Sequence, residues 1–420
     1  MTAEIESLAD LIQAAPFIDI ALDDSDSKPE QSEKATPTTQ TEKQFSLLPL
    51  PLGAENDDTT DSLYPHLLRA HIALAKLSEA SDEHVVTQSP TNFLLLDEVL
   101  SNQEYDSAAE QAQLSVPELL VCDDGGEAYD LVDLSVRLAR RVASDGINQQ
   151  VFIELASALD CSSNKKGDVK SDKGKEASAF RSNAFELNRH SNDIERDNIF
   201  AGTAYDLPQG NELKNLFENW QEYVELSDRN VDPLIFCATA YHRFLSISPF
   251  VAHNQFAARL IWQLLLIDAG LYKLPLLALS AQLAKTKNSH HALFLDVLNP
   301  DDKQAKTQWL QHCINVVEQA ATRSLSSIHQ CRHHLRDLQQ NVESAVTKKH
   351  GFALYELLSQ KPVVRIKDVV DAGIAKRQTA SIYLNKLVSQ GLLVERQSGK
   401  GKLFYNQGYL VALGFMEEVA

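Results

Sequence analysis

The chain has 420 residues, with 39 Lys and Arg against 58 Asp and Glu, a formal net charge of −19. Hydrophobic residues make up 44% and glycines number only 16, so the chain can bury a large core, has length for more than one domain, and suits helices better than a turn-rich β protein. The charge excludes a strongly basic histone-like binder, no run approaches the roughly 18 apolar residues of a membrane span, and the odd, scattered Cys122, Cys161, Cys237, Cys313 and Cys331 fit neither a disulfide scaffold nor a zinc spacing.

The start, Met1-Thr-Ala-Glu-Ile-Glu, is acidic and carries no basic segment of a secretory signal. With reduced thiols this predicts a cytoplasmic protein without a membrane partner. Residues 1–60 hold 13 acids and 3 bases, and 3 − 13 gives −10. Residues 21–46 are rich in Ser, Thr, Asp and Pro, which cannot offset the entropy of ordering, so 1–46 is expected to be a disordered acidic tail. Helical pattern fills 47–160, where Leu68, Ile72 and Ala75 share a face. Residues 161–178 form a polar loop or insertion with Lys165, Lys166, Lys170, Lys173 and Lys175. In 179–345, Phe256 to Ala269 is apolar nearly all round apart from Arg259, Gln263 and Asp268. That is a central buried helix, closed by Gly270. Trp309, Cys313, Val316 and Ala320 make an amphipathic stripe.

The last segment, 346–412, changes sign. Residues 361–410 carry 9 bases and 3 acids, and 9 − 3 gives +6. The order of signals is that of a winged helix. Leu354, Leu357 and Leu358 line a first helix, and Pro362 separates it from a short helix over 366–373. A third helix from Lys376 is stopped by Gly391, and Leu392–Arg396 and Lys402–Tyr405 form a β pair joined by Ser398-Gly-Lys-Gly. DNA is the partner this predicts. Arg377, Gln378 and Ser381 would face the major groove, and Lys400 and Lys402 at the wing would meet phosphate. The same module also serves elsewhere as a protein-interaction unit, so an unidentified protein is the alternative partner.

Ser248-Pro-Phe-Val-Ala-His-Asn-Gln-Phe-Ala-Ala-Arg259 resembles the motif of the Fic (Fido) family, bacterial protein adenylyltransferases, which reads His-Pro-Phe-x-Asp/Glu-Gly-Asn-Gly-Arg-x-x-Arg. Leu47-Leu48-Pro49-Leu50-Pro51, Ala179-Phe180-Arg181, Trp309-Leu310-Gln311 and the final winged helix occur in the family's order. The resemblance therefore implies a mainly α fold, a Fic-like helical body with a small β-hairpin flap and a C-terminal winged helix. It makes 47–160 the family's N-terminal region and 179–345 its core. It also implies ATP with Mg²⁺ as cofactor, AMP transfer to a protein hydroxyl, and a homodimer.

The residues that carry the family's chemistry are largely replaced. Ser248 stands where the general base should be, and a serine is no base at neutral pH. Ala252 stands at the acidic metal ligand and offers no oxygen. His253 and Gln255 replace the glycines that let backbone N–H groups approach phosphate, and Phe256 replaces the first arginine. Asn254 and Arg259 are the remnant of the nucleotide site. The sequence thus points to a degenerate Fic-like protein, with no catalytic residue and no metal site, acting by binding or regulation. An altered nucleotidyltransferase and a DNA-binding transcriptional regulator are the alternatives. The family's inhibitory glutamate aligns near Ser101–Asp106, with Tyr105 at its position and Glu104 one residue early. His253 as a stand-in base, a metal grip by His329 and His333 near Cys331 and His334, and a ligand pair at His290-His291 are each weaker readings than tolerated or surface side chains.

Overall fold

Two apolar stretches that follow each other in the sequence set the centre of the fold. The computed structural model describes residues 57–82, 93–101, 120, 126–164, 207–225, 231–250, 253–298, 302–398 and 401–416. The acidic tail, Leu47–Pro51, Glu104–Asp106, the flap region with Ala179–Arg181, Val251, Ala252 and Lys400 lie outside the described residues.

The body opens with α1 (Asp57–Asp82), a helical segment at 93–101, α2 (Gly126–Asp145), α3 (Gln149–Asn164) and α4 (Gly210–Glu225). The polar stretch expected from Ser162 therefore begins as the end of α3; its lysines lie outside the described residues. Next come α5 (Pro233–Ile247) and α6 (Asn254–Asp268). Pro233 at the first turn and the Asp232 carboxylate, which accepts from Leu234 N at 2.8 Å, start α5. Every residue of α5 from Leu234 to Ile247 is buried, polar ones included. The expectation for α6 holds: it is buried from Phe256 to Ile267, and Gly270 closes it at φ 72°. Its polar positions are occupied within the fold. Gln263 Oε1 accepts from the Tyr272 hydroxyl at 3.1 Å, and Asp268 Oδ1 from Ile147 N at 2.9 Å. α4 packs on α5, and α2 on α6.

After α7 (Leu279–Lys285) and α8 (Lys287–Asp296), α9 runs from Lys303 to Ala345, 43 residues. The stripe of Trp309, Cys313, Val316 and Ala320 is buried and continues through Ile328, Cys331, Leu335, Leu338 and Val342. α1 lies along α9. Its inner face is Leu63, Leu67, Ala70, Leu74 and Leu77, whereas Leu68 and Ile72 are exposed. Leu68, Ile72 and Ala75 share a face as expected, and that face is the exposed one. Two apolar stripes run along α1, and the one richer in leucine faces the core.

The C-terminal unit contains α10 (Lys348–Gln360), β1 (Val363–Val364), α11 (Ile366–Asp371), α12 (Arg377–Ser389), β2 (Val394–Ser398), β3 (Gly401–Tyr405) and α13 (Gln407–Ala412). The antiparallel sheet has the order β1-β3-β2, with Val364 opposite Phe404 and Glu395 opposite Phe404 from the other side. The three strands form one small antiparallel sheet beside α10, α11 and α12. β1 went unpredicted because two residues show no alternation. Leu354, Leu358, Leu384, Leu387 and Leu393 fill the interior, whereas Val370 is 37% exposed. α10, α12 and α13 all rest on α9, so the unit is built against the end of that helix.

Candidate functional site

The loop between α5 and α6 carries the resemblance, and its backbone is unusual. Ser248 and His253 are the non-glycine residues with positive φ among the described residues, at 45° and 62°. Left-handed backbone suits glycine, and of the larger side chains Asn, Asp and His tolerate it best. His253 stands where the resemblance expects glycine. The backbone there keeps the conformation that glycine takes without cost, although the glycine is gone.

Ser248 caps α5. Its amide donates to Phe244 O at 2.8 Å and its hydroxyl to Leu245 O at 2.6 Å. Asn254, the first residue of α6, ties the loop shut. Its Oδ1 accepts from Phe250 N and its Nδ2 donates to Phe250 O, both at 2.9 Å. His253 precedes α6 with no side-chain capping bond, half-buried. Gln255 is half-buried and Phe256 buried.

Arg259 is only 1% exposed. Facing it is a carboxyl that the sequence did not single out. Glu98, in the segment 93–101, is buried, and its oxygens accept from Ser280 N at 2.9 and 3.0 Å and from Ser280 Oγ at 2.8 Å. Burial pushes the Glu98 carboxyl up to about 8, against the Ser280 hydrogen bonds and the nearby Arg259 charge, which pull it down. Its neighbour Asp97 accepts from Arg323 of α9 at 3.4 Å. The glutamate expected at Glu104 or Tyr105 lies outside the described residues; among the described residues, Glu98 is an acid whose charge interacts with Arg259. The signal for it was present, since an Asp-Glu pair breaks an otherwise apolar run from Phe93 to Leu100. The cavity bounded by Glu98, Val99, Phe256 and Leu260 holds about 20 Å³.

A second polar cluster joins α5, α8 and α9. Tyr241 and His290 Nε2 are 3.1 Å apart, and His290 Nδ1 is 3.1 Å from His312 Nε2. Burial lowers the pKa of both histidines. His242 donates from Nε2 to Phe294 O at 3.1 Å, and burial holds its pKa down at about 4. His290 is therefore an interior residue, which corrects its expected place on the surface; the aromatic wall around Trp309 covers it. Among the described residues no group of three or more His, Cys, Asp or Glu could hold a metal. His333 pairs with Asp337 at 3.1 Å on an exposed face.

In the C-terminal unit, Arg377 and Gln378 are exposed at the start of α12 and Ser381 is half-buried. Asn385 Nδ2 donates to Ser381 Oγ at 3.3 Å. Lys402, on β3, pairs with Glu395 of β2 at 2.7 Å, so its charge is partly neutralised within the hairpin. Residues 335–409 match the family described as "Protein adenylyltransferase SoFic-like, C-terminal domain".

That match makes the C-terminal segment similar to this domain family over 75 of the chain's 420 residues.

The match starts inside α9, ten residues before that helix ends, which agrees with the packing of the unit on α9. A crystal structure of a Fic family protein from Desulfovibrio desulfuricans G20 is 15% identical over 80% of this chain and 95% of that chain, with a TM-score of 0.40. A likeness that loose carries no residue-by-residue argument. No helix among the described residues is long and apolar enough to cross a membrane.

Proposed function

We propose that this chain is a Fic-related protein that does not transfer AMP and acts by binding, through its C-terminal unit. The observation that carries the reading is the state of the α5–α6 loop. Ser248, at the base position, spends its hydroxyl on Leu245 O; Asn254 spends its amide on Phe250; Arg259 is interior, beside Glu98. Ala252, at the metal position, has no oxygen ligand to offer. These residues do not fit Mg²⁺-ATP held as the Fic motif holds it.

The purified chain, incubated with labelled ATP and Mg²⁺, is expected to label neither itself nor a lysate above an Arg259→Ala control. Loss of a positioned base alone commonly costs about 10²-fold or more. Ser248→His is expected to remain silent as well, since Ala252, His253 and Gln255 still differ from the motif. Label in the wild-type chain above that control would overturn the reading in favour of an altered nucleotidyltransferase.

A second reading, DNA binding, is favoured by the exposed Arg377 and Gln378 at the start of α12. In mobility shifts at low salt, Arg377→Ala with Gln378→Ala is expected to relax sequence preference. Lys400→Ala with Lys402→Ala should weaken binding to every sequence and flatten the salt slope by about 1 to 2. Since Lys402 is shared with Glu395, the lower figure is expected. A chain that retards no duplex at low salt would leave a protein as the partner.

A further inference from the structure

The C-terminal third of α9 does more than support the unit packed on it. A cavity of about 490 Å³ opens between α9, the turn after α12, the start of β2, and α13. That volume lies in the range of small-molecule sites. Its apolar side is made by Leu338, Leu392, Val394 and Val411. The α9 wall presents His334, Asp337 and Asn341, at spacings of three and four that place them on one helical face.

The protonation of this wall can be worked out. His334 Nε2 lies 2.7 Å from Asn406 Oδ1, and that oxygen also accepts from Tyr409 N at 3.2 Å. An oxygen accepting both bonds requires the His334 proton on Nε2, which leaves Nδ1 as an acceptor. Burial lowers the His334 pKa, so the ring is neutral at pH 7. The ring is held by stacking on Tyr409 and by Gly408, where a Cβ would come within 2.7 Å of it. Asp337 supplies a carboxylate whose partner, His333, is 80% exposed, and an exposed pair of this kind is worth little. Among the described residues no lysine or arginine lines the cavity.

We propose that this cavity binds a cationic group on a short alkyl stem, an ammonium or guanidinium. The stem would lie on Leu338, Leu392 and Val411, and the charge would meet Asp337. The site is independent of any AMP transfer and of the α12 face. Two sources share this chemistry: a free diamine or its guanidino analogue, and a basic side chain of a protein partner.

The test is calorimetric titration of the full chain with agmatine, with the amide of Gly-Arg-Gly, and with glutarate as the anionic control. Saturable binding of agmatine or the peptide is expected, with no binding of glutarate. The tighter of the two names the source. Asp337→Asn, on an exposed position that folding does not depend on, should weaken binding by about tenfold or more. Val394→Trp, which fills the mouth, should abolish it. The proposal is overturned if neither cation binds, if Asp337→Asn binds as well as wild type, or if glutarate binds more tightly than either cation.

Discussion

Trp309→Ala is expected to destabilise the body by about 3–5 kcal/mol, the range for deleting a large buried aromatic. Trp309 is fully buried, and its Nε1 donates to Ala238 O at 3.3 Å, joining α9 to α5. Its ring lies parallel to Tyr241 at 6.0 Å and meets His242 edge-on at 5.2 Å and His290 at 5.0 Å. Removing it opens a void beside neutral histidines that survive in the core only because they are covered and hydrogen-bonded. Urea unfolding followed by circular dichroism should show a lower midpoint with the slope unchanged. A loss under about 1 kcal/mol would mean that Trp309 does not hold the two helices together.

The second large effect belongs to Glu98 and depends on pH. Its carboxyl is raised to about 8 in the folded chain, from an ordinary value of 4.5, mainly by burial. A raised carboxyl holds its proton more firmly in the folded state. Its contribution is therefore fully present below about 4.5 and is lost as pH rises toward 8. Glu98→Gln fixes the neutral form and keeps an acceptor for Ser280. At pH 9 the variant is expected to be more stable than wild type, by an amount on the order of 3 kcal/mol, and the advantage should vanish near pH 4. His242 acts in the opposite sense. Its lowered pKa gives stability that is present above 6.5 and lost as pH falls toward 4. Wild type should thus weaken at both ends of the range, and Glu98→Gln should relieve only the alkaline side. Equal alkaline loss in both proteins would place the titrating group elsewhere. Glu98→Ala should be destabilising at every pH, since Ser280 N and Oγ lose their acceptor.

The parts of this fold that could be read in advance are those fixed by local chemistry. Pro362, Gly373 and Gly391 punctuate the C-terminal unit because each stops or starts an element by its own backbone, and the apolar circumference of Phe256 to Ile267 admits only burial. What could not be read depends on contacts distant in sequence. Glu98 and Ser280 are 182 residues apart. His290 looked like a surface residue because nothing near it in sequence announces Trp309 or His312. On α1, both stripes satisfied the helical period, and only the neighbouring helix decides that Leu67 and Leu74 go in while Leu68 and Ile72 stay out. At the loop, the substituted motif was visible, but the left-handed backbone kept at His253 was not.

The length of α9 has a mechanical consequence. Its 43 residues contain neither glycine nor proline, so at about 1.5 Å per residue it is a shaft of roughly 65 Å with no joint along it. The body grips one end through Trp309 and α1, and the C-terminal unit grips the other through Leu335, Leu338 and Val342. The angular setting of the two is therefore fixed by how many residues lie between them. Each residue turns the shaft by about 100°, so the bearing of α12 relative to the body is written in the residue count of this one helix.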